Sequence, residues 1–122
     1  MVRLGSPPNP DAFRPGLTSS TILGQTWDPF VDHTTFSPSA VIDGLALTVA
    51  PLNLALPPFG TLLVLPPVGI PLQTGPASAP FALPLPPKCS LAGAALYTQA
   101  FSIDSAGDLL LTNALDITLG TF

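Results

Sequence analysis

The stretch Ala94-Ala95-Leu96-Tyr97-Thr98-Gln99-Ala100-Phe101-Ser102-Ile103, followed by Asp104-Ser105-Ala106-Gly107-Asp108 and then Leu109 to Leu119, decides the fold. Leu96, Thr98, Ala100 and Ser102 alternate with Tyr97, Gln99, Phe101 and Ile103. A period of two places each set on its own face of a strand. The Asp, Ser and Gly residues of 104–108 supply the side-chain acceptors and the positive φ that a hairpin loop needs. Residues 109–119 therefore return as the second strand, kinked or bulged around Thr112-Asn113-Ala114. The run from Cys89 to Phe122 is the longest without proline, yet Tyr97, Thr98, Phe101, Ile103, Thr112, Ile117 and Thr118 give it a β vocabulary.

Working outward, residues 88–93 suit one helical turn near 90–93, with Ser90 as N-cap and Gly93 as stop. Residues 80–85 and 68–73 read as short strands whose Pro84 and Pro71 confine them to sheet edges. Residues 59–65 are apolar at nearly every position, as in a central or covered strand. Residues 40–50, with Val41, Asp43, Leu45, Leu47 and Val49 in one row, form another strand. Residues 18–27 are the first, ended by Asp28-Pro29, and 30–39 a structured loop. Pro7, Pro8, Pro10 and Pro15 make 1–16 an extended arm preceding a single domain over 17–122. About seven to nine short strands punctuated by Pro and Gly predict an all-β fold, an antiparallel β-sandwich of jelly-roll type.

Composition narrows the function. Only 8% of the 122 residues are charged and 47% are hydrophobic, against roughly 25% charged in ordinary soluble domains. Glutamate is absent, and Arg3, Arg14 and Lys88 are the only basic side chains, giving a net charge of −4. Three scattered cations cannot form the basic stripe that nucleic acid requires. The residues that clothe exposed helix turns are scarce, which argues against long helices. The 17 prolines interrupt every apolar run short of the about twenty residues that span a membrane. Met1 to Pro8 show no apolar stretch of a signal peptide. Cys89, the single cysteine, cannot form an intrachain disulfide; it reads as an inert, half-buried thiol, with a reactive or intermolecular role as the alternative.

Several motifs carry a family resemblance. Ser90-Leu91-Ala92-Gly93, Leu96-Tyr97-Thr98-Gln99 and Leu111-Thr112-Asn113-Ala114-Leu115-Asp116-Ile117-Thr118-Leu119-Gly120 resemble a module at the C-terminal ends of uncharacterised secreted proteins of planctomycetes and related bacteria. Gly5-Ser6-Pro7-Pro8-Asn9-Pro10, Gly24-Gln25-Thr26-Trp27-Asp28-Pro29 with Asp32-His33-Thr34, and Gly60-Thr61-Leu62-Leu63 are similar to one branch of it. The resemblance implies an exported, extracellular or cell-surface β-sandwich with no catalytic residues to carry over. Some relatives pair a cysteine near Gly60-Thr61-Leu62-Leu63 with one matching Cys89; Val64 stands at the first position here, so that disulfide is not available to this chain.

Trp27-Asp28-Pro29-Phe30-Val31-Asp32-His33-Thr34 is the one place where the histidine, two carboxylates and an aromatic gather. Asp28, Asp32 and His33 are the groups a metal site or an acid–base pair would use. Their spacing matches no metal signature. The plainer reading has both aspartates capping turns around Pro29 and His33 bonded to a loop carbonyl. Asp104 and Asp108 suggest weak Ca²⁺ binding or, more simply, a hairpin turn. Ser19, Ser20 and Ser90 lack a Gly-x-Ser-x-Gly elbow. The expected site list is therefore empty: no catalytic, cofactor or metal residue, and no enzyme. Two functions fit. One is an extracellular structural subunit that assembles with copies of itself into a filament, sheath or surface layer by strand or arm exchange. The other is a carbohydrate-binding or adhesive module using Trp27, Tyr97, Gln25 and Gln99, although burial of the aromatics suits a small sandwich better.

Overall fold

The computed structural model describes residues 2–6, 8–15, 21–48, 50–57, 59–64, 73–85 and 87–120. Its strands are β1 (Val2–Arg3), β2 (Phe13–Arg14), β3 (Thr26–Trp27), β4 (Phe30–Val31), β5 (Ala40–Thr48), β6 (Pro51–Leu56), β7 (Gly60–Val64), β8 (Gln73–Pro76), β9 (Leu83–Pro84), β10 (Ala95–Asp104) and β11 (Leu109–Thr118). A 3₁₀ turn, Cys89–Leu91, begins one residue before the expected helical turn.

The fold is all-β. Its main sheet has five strands in the order β1-β11-β10-β5-β8, and β2–β4, β3–β9 and β6–β7 form separate two-stranded ladders. Every ladder is antiparallel, and none closes into a barrel. The exception to the antiparallel pattern is an isolated bridge, Ile22 to Gly120.

The long hairpin forms where alternation placed it, with Leu96 opposite Ile117 and Ile103 opposite Leu109. The expected bulge is present on β11. Gln99 faces Ala114 and Phe101 faces Leu111, so Ala100 stands against both Thr112 and Asn113. The Thr112 hydroxyl accepts the Ala100 N–H at 3.2 Å and reaches the Ala100 carbonyl at 3.0 Å, bridging the gap that the extra residue opens.

Register sorts the side chains by face. Leu45, Ala100, Leu115 and Ile117 share one face and cluster with Phe13, Trp27, Val31, Phe36, Phe81 and Leu85. Tyr97, Gln99 and Asp116 lie on the other, where β7 and Arg3 meet them. The sheet centre is thus covered on both sides, and Thr98, Gln99 and Ala100 are buried in succession. Buried primary amides join the pieces. Gln99 Oε1 accepts the Leu63 N–H at 2.9 Å, while its Nε2 donates to the Thr61 and Thr112 carbonyls. Asn9 donates to the same two carbonyls and accepts the Thr61 N–H at 2.7 Å. Asn113 accepts from the Phe13 N–H and donates to the Phe13 carbonyl. Each amide uses both its donor and acceptor ends, which is what makes its burial tolerable.

Several expectations are revised. The described part of 1–16, expected as an arm, lies along its own domain. Val2 and Arg3 pair with Leu115 and Ala114, Asn9 is buried, and Phe13 is fully enclosed. The Arg3 guanidinium holds Asp116 by a two-point ion pair (2.6 and 3.0 Å) and donates to the Leu63 carbonyl at 3.0 Å. Within 18–27, residues 18–20 fall outside the described residues, and the strand is confined to Thr26–Trp27. Phe30 and Val31, expected in a loop, pair with β2. Strand β6, absent from the sequence reading, pairs with β7. Of the two alternatives for 59–65, central or covered, the second holds: β7 has one ladder neighbour, and Thr61, Leu63 and Val64 are buried where β7 packs on the main sheet. Residues 68–72, with the Pro71 on which the edge expectation rested, lie outside the described residues; the strand described here is Gln73–Pro76, at an edge of the main sheet.

Candidate functional site

The 27–34 segment delivers its side chains to separate places. Trp27 is held in β3 by pairing with Leu83 and is 2% exposed, packed edge-on to Phe13 with ring centroids 6.4 Å apart. Asp28 is half-buried, and its enclosed Oδ1 has no hydrogen-bond partner among the described residues. Asp32 closes an Asx turn. Its Oδ1 accepts both the hydroxyl and the backbone N–H of Thr34, and its Oδ2 lies 3.6 Å from Arg14 Nε. The Thr34 hydroxyl foremost, then the Thr34 N–H, holds the Asp32 carboxyl below its ordinary range; desolvation opposes them, and Arg14 and His33 add smaller help.

His33 turns inward to Asp43, a residue of β5. Its Nε2 is 2.7 Å from Asp43 Oδ1 and its Nδ1 2.7 Å from the Phe36 carbonyl, with the Phe36 ring stacked on the imidazole. Asp43 is completely buried. Its Oδ1 also accepts the Ser102 hydroxyl at 2.7 Å, and its Oδ2 the Ser78 N–H at 2.8 Å. One carboxylate thus ties together the β4–β5 loop, the segment after β8, and β10. Serine, aspartate and histidine meet here, but the carboxylate stands between the other two. A nucleophilic serine needs the imidazole beside its hydroxyl as base. Here the free face of the imidazole is taken by a carbonyl, and Ser102 is fully buried.

Asp28, Asp32 and His33 therefore do not converge, and among the described residues no three His, Cys, Asp or Glu side chains group closely enough for a metal ion. The turn-and-carbonyl reading of Asp32 and His33 matches their contacts. Asp43 is the residue that sequence reasoning missed as a partner. Its signal was visible: a carboxylate in the same strand row as Leu45 faces the core and must find donors there. In the 104–108 loop, Asp104 Oδ1 accepts the N–H groups of Ala106 and Asp108, and Gly107 adopts φ +86°, the geometry of a hairpin turn. Ser90 is exposed in the 3₁₀ turn. Ser19 and Ser20 lie outside the described residues, and so does the Cys89 side chain.

No family model matches this chain, and no curated protein or solved structure is found similar to it. Chemistry must be argued from its own side chains. The expected glycan-binding set does not share a surface. Trp27 and Gln99 are buried, and the Arg3 guanidinium lies over the Tyr97 ring at 5.7 Å. Gln25 is exposed.

Large apolar side chains are exposed at Val2, Leu4, Val41 and Ile42, and again at Leu54, Leu56 and Phe59 in and just after β6. In β6, Pro51, Asn53, Leu54, Ala55 and Leu56 are exposed, with Leu54 at 48%, and Phe59 in the following turn is 45% exposed. Its ladder runs along one side, to β7. Leu52 and Asn53 bulge and are tied to the N-terminal segment, through the Leu52 carbonyl to Arg3 and the Asn53 side chain to the Ser6 N–H. Leu54–Leu56 carries no such tie among the described residues.

Proposed function

We propose that this protein is a non-enzymatic structural subunit, a β-sandwich that assembles with copies of itself at the cell surface or outside the cell, and that β6 is the edge through which copies join. The observation that carries this reading is an uncharged, outward-facing edge strand on a chain with only 8% charged residues. Exposed edges of ordinary domains are guarded by lysine, proline or bulges, because free N–H and C=O groups recruit further strands. Pro51 and the bulge guard the first half of β6. Among the described residues Leu54, Ala55 and Leu56 have no guard of this kind, and adding a strand there supplies main-chain hydrogen bonds while covering Leu54 and Leu56.

The N-terminal segment is an unfavourable exchange element, since Arg3, Asn9 and Phe13 are committed within their own domain. Edge pairing replaces arm exchange as the route. The sandwich reading rests on the core cluster, in which one face of the main sheet meets side chains of β2, β3 and β4. The carbohydrate-binding alternative loses two of its four side chains to burial and has no observation in its favour.

Negative-stain microscopy and light scattering of the purified chain test the proposal. Polymers are expected, and Leu54→Lys is expected to return monomers with an unchanged thermal unfolding midpoint. A native chain that stays monomeric at high concentration overturns the reading.

A further inference from the structure

We propose that His33 and Asp43 hold a shared proton that latches two loops to the main sheet, and that the latch opens as pH rises. The Phe36 carbonyl can only accept, so His33 Nδ1, 2.7 Å away, carries a hydrogen. A neutral imidazole would then present a bare lone pair on Nε2 to Asp43 Oδ1, also 2.7 Å away. Two lone pairs at that distance repel; one proton between them gives a short, charge-assisted hydrogen bond. The cluster thus holds one proton more than a neutral histidine and a carboxylate possess, and it sits on the imidazole nitrogen, the stronger base of the two. The Ser102 hydroxyl and the Ser78 N–H already donate to Asp43 and cannot substitute for it without abandoning those contacts.

The surroundings keep water from relieving the mismatch. The side chains of His33 and Asp43 are 9% and 0% exposed, and the Phe36 ring covers one face of the imidazole. The charged groups facing the ring are Asp43 from β5 and Asp32 beside it on the loop, the latter paired with Arg14 of β2. The segment after β8 and strand β10 present the Ser78 amide and the Ser102 hydroxyl.

Both latched segments contain a serine in the left-handed region, Ser37 at φ +44° and Ser78 at φ +68°. Such conformations cost a non-glycine residue free energy and persist where neighbouring contacts impose them. When the shared proton leaves, the contact that imposes them becomes repulsive. The 33–39 loop and the 77–79 segment then loosen, while the β5–β10 ladder, held by its own backbone bonds, remains.

The chain has one histidine, so long-range ¹⁵N–¹H spectra of the uniformly labelled native protein report this imidazole alone. Both ring nitrogens are expected to be protonated in the folded state before the latch opens. After correction for intrinsic exchange, amide protection at Ala40 and Ser78 is expected to fall about tenfold or more as the ring loses a proton, the scale of one charged hydrogen bond. Amides of Thr98 and Ala100 are expected to hold. In His33→Gln, whose amide N–H donates without titrating, protection at Ala40 and Ser78 should be flat with pH. A folded native state that keeps one bare ring nitrogen in mild acid overturns the proposal, and so does ring deprotonation that leaves Ala40 and Ser78 protection unchanged.

Discussion

Gln99 shows how much one side chain decides in this protein. A glutamine on a strand ordinarily faces water, yet here it is 1% exposed and does the work of a strand neighbour, accepting the Leu63 N–H and donating to two carbonyls. In Gln99→Leu, which keeps the volume and removes the polar ends, the Leu63 N–H loses its acceptor. Stability in urea should fall by about 1–3 kcal/mol, the cost of a buried group left unpaired. A change within experimental error would mean that these bonds add nothing beyond packing. Asp32 acts by charge instead. Its carboxyl titrates lower in the folded state than its reference value of 3.8 because Thr34 bonds the ionised form. The stabilisation is therefore present above that value and is lost as pH falls through the lower folded one. Comparing thermal midpoints of native protein and Asp32→Asn should show a deficit for the variant near neutrality that closes in acid. A deficit that is constant with pH would assign the effect to something other than ionisation.

At the scale of elements, β5, β10 and β11 were legible because alternation and β-branched or aromatic residues extend over five residues or more, and β7 because its run is apolar at nearly every position. Even the β11 bulge was readable, from the polar pair Thr112-Asn113 breaking an apolar strand. The two-residue strands were not. Phe13–Arg14 and Phe30–Val31 are too short to carry a period, and Asn113, 100 residues away, fixes the first of them. Strand β6 was hidden between Pro51 and Pro57, and residues 1–16 read as an arm because their anchoring depends on single side chains reaching distant partners, as in Arg3 to Asp116. In the candidate site, the turn role of Asp32 and the carbonyl bond of His33 were readable locally; the contact with Asp43 was not, since it needs the tertiary fold. Gly44 offers a test of the β5–β10 pairing. It lies opposite Phe101, and a Cβ added there would fall within the Phe101 ring. Gly44→Ala must push the ring aside and should cost about 1–3 kcal/mol by overpacking. Gly44→Ala with Phe101→Leu should recover part of that loss in chemical denaturation, and no recovery would place the strain in the backbone.

For the whole molecule, the distribution of charge determines how copies can meet. Arg3 pairs with Asp116, Arg14 with Asp32, and His33 with Asp43, so two of the three basic side chains and the histidine are engaged within the chain. Lys88 is the remaining basic side chain, set against a net charge of −4. Copies of such a molecule repel weakly and have little opposite charge to offer one another. Attraction must then come from apolar burial and main-chain bonds, the two things Leu54–Leu56 can supply. This predicts the salt response of assembly. Sodium chloride at a few tenths molar screens the repulsion over about 4–6 Å and should leave assembly unchanged or strengthened. Ammonium sulfate should strengthen it further, because the salt is excluded from apolar surface. Sedimentation velocity across both salts reads the outcome directly. Assemblies that dissolve in sodium chloride would place ion pairs at the contact and move the interface away from β6.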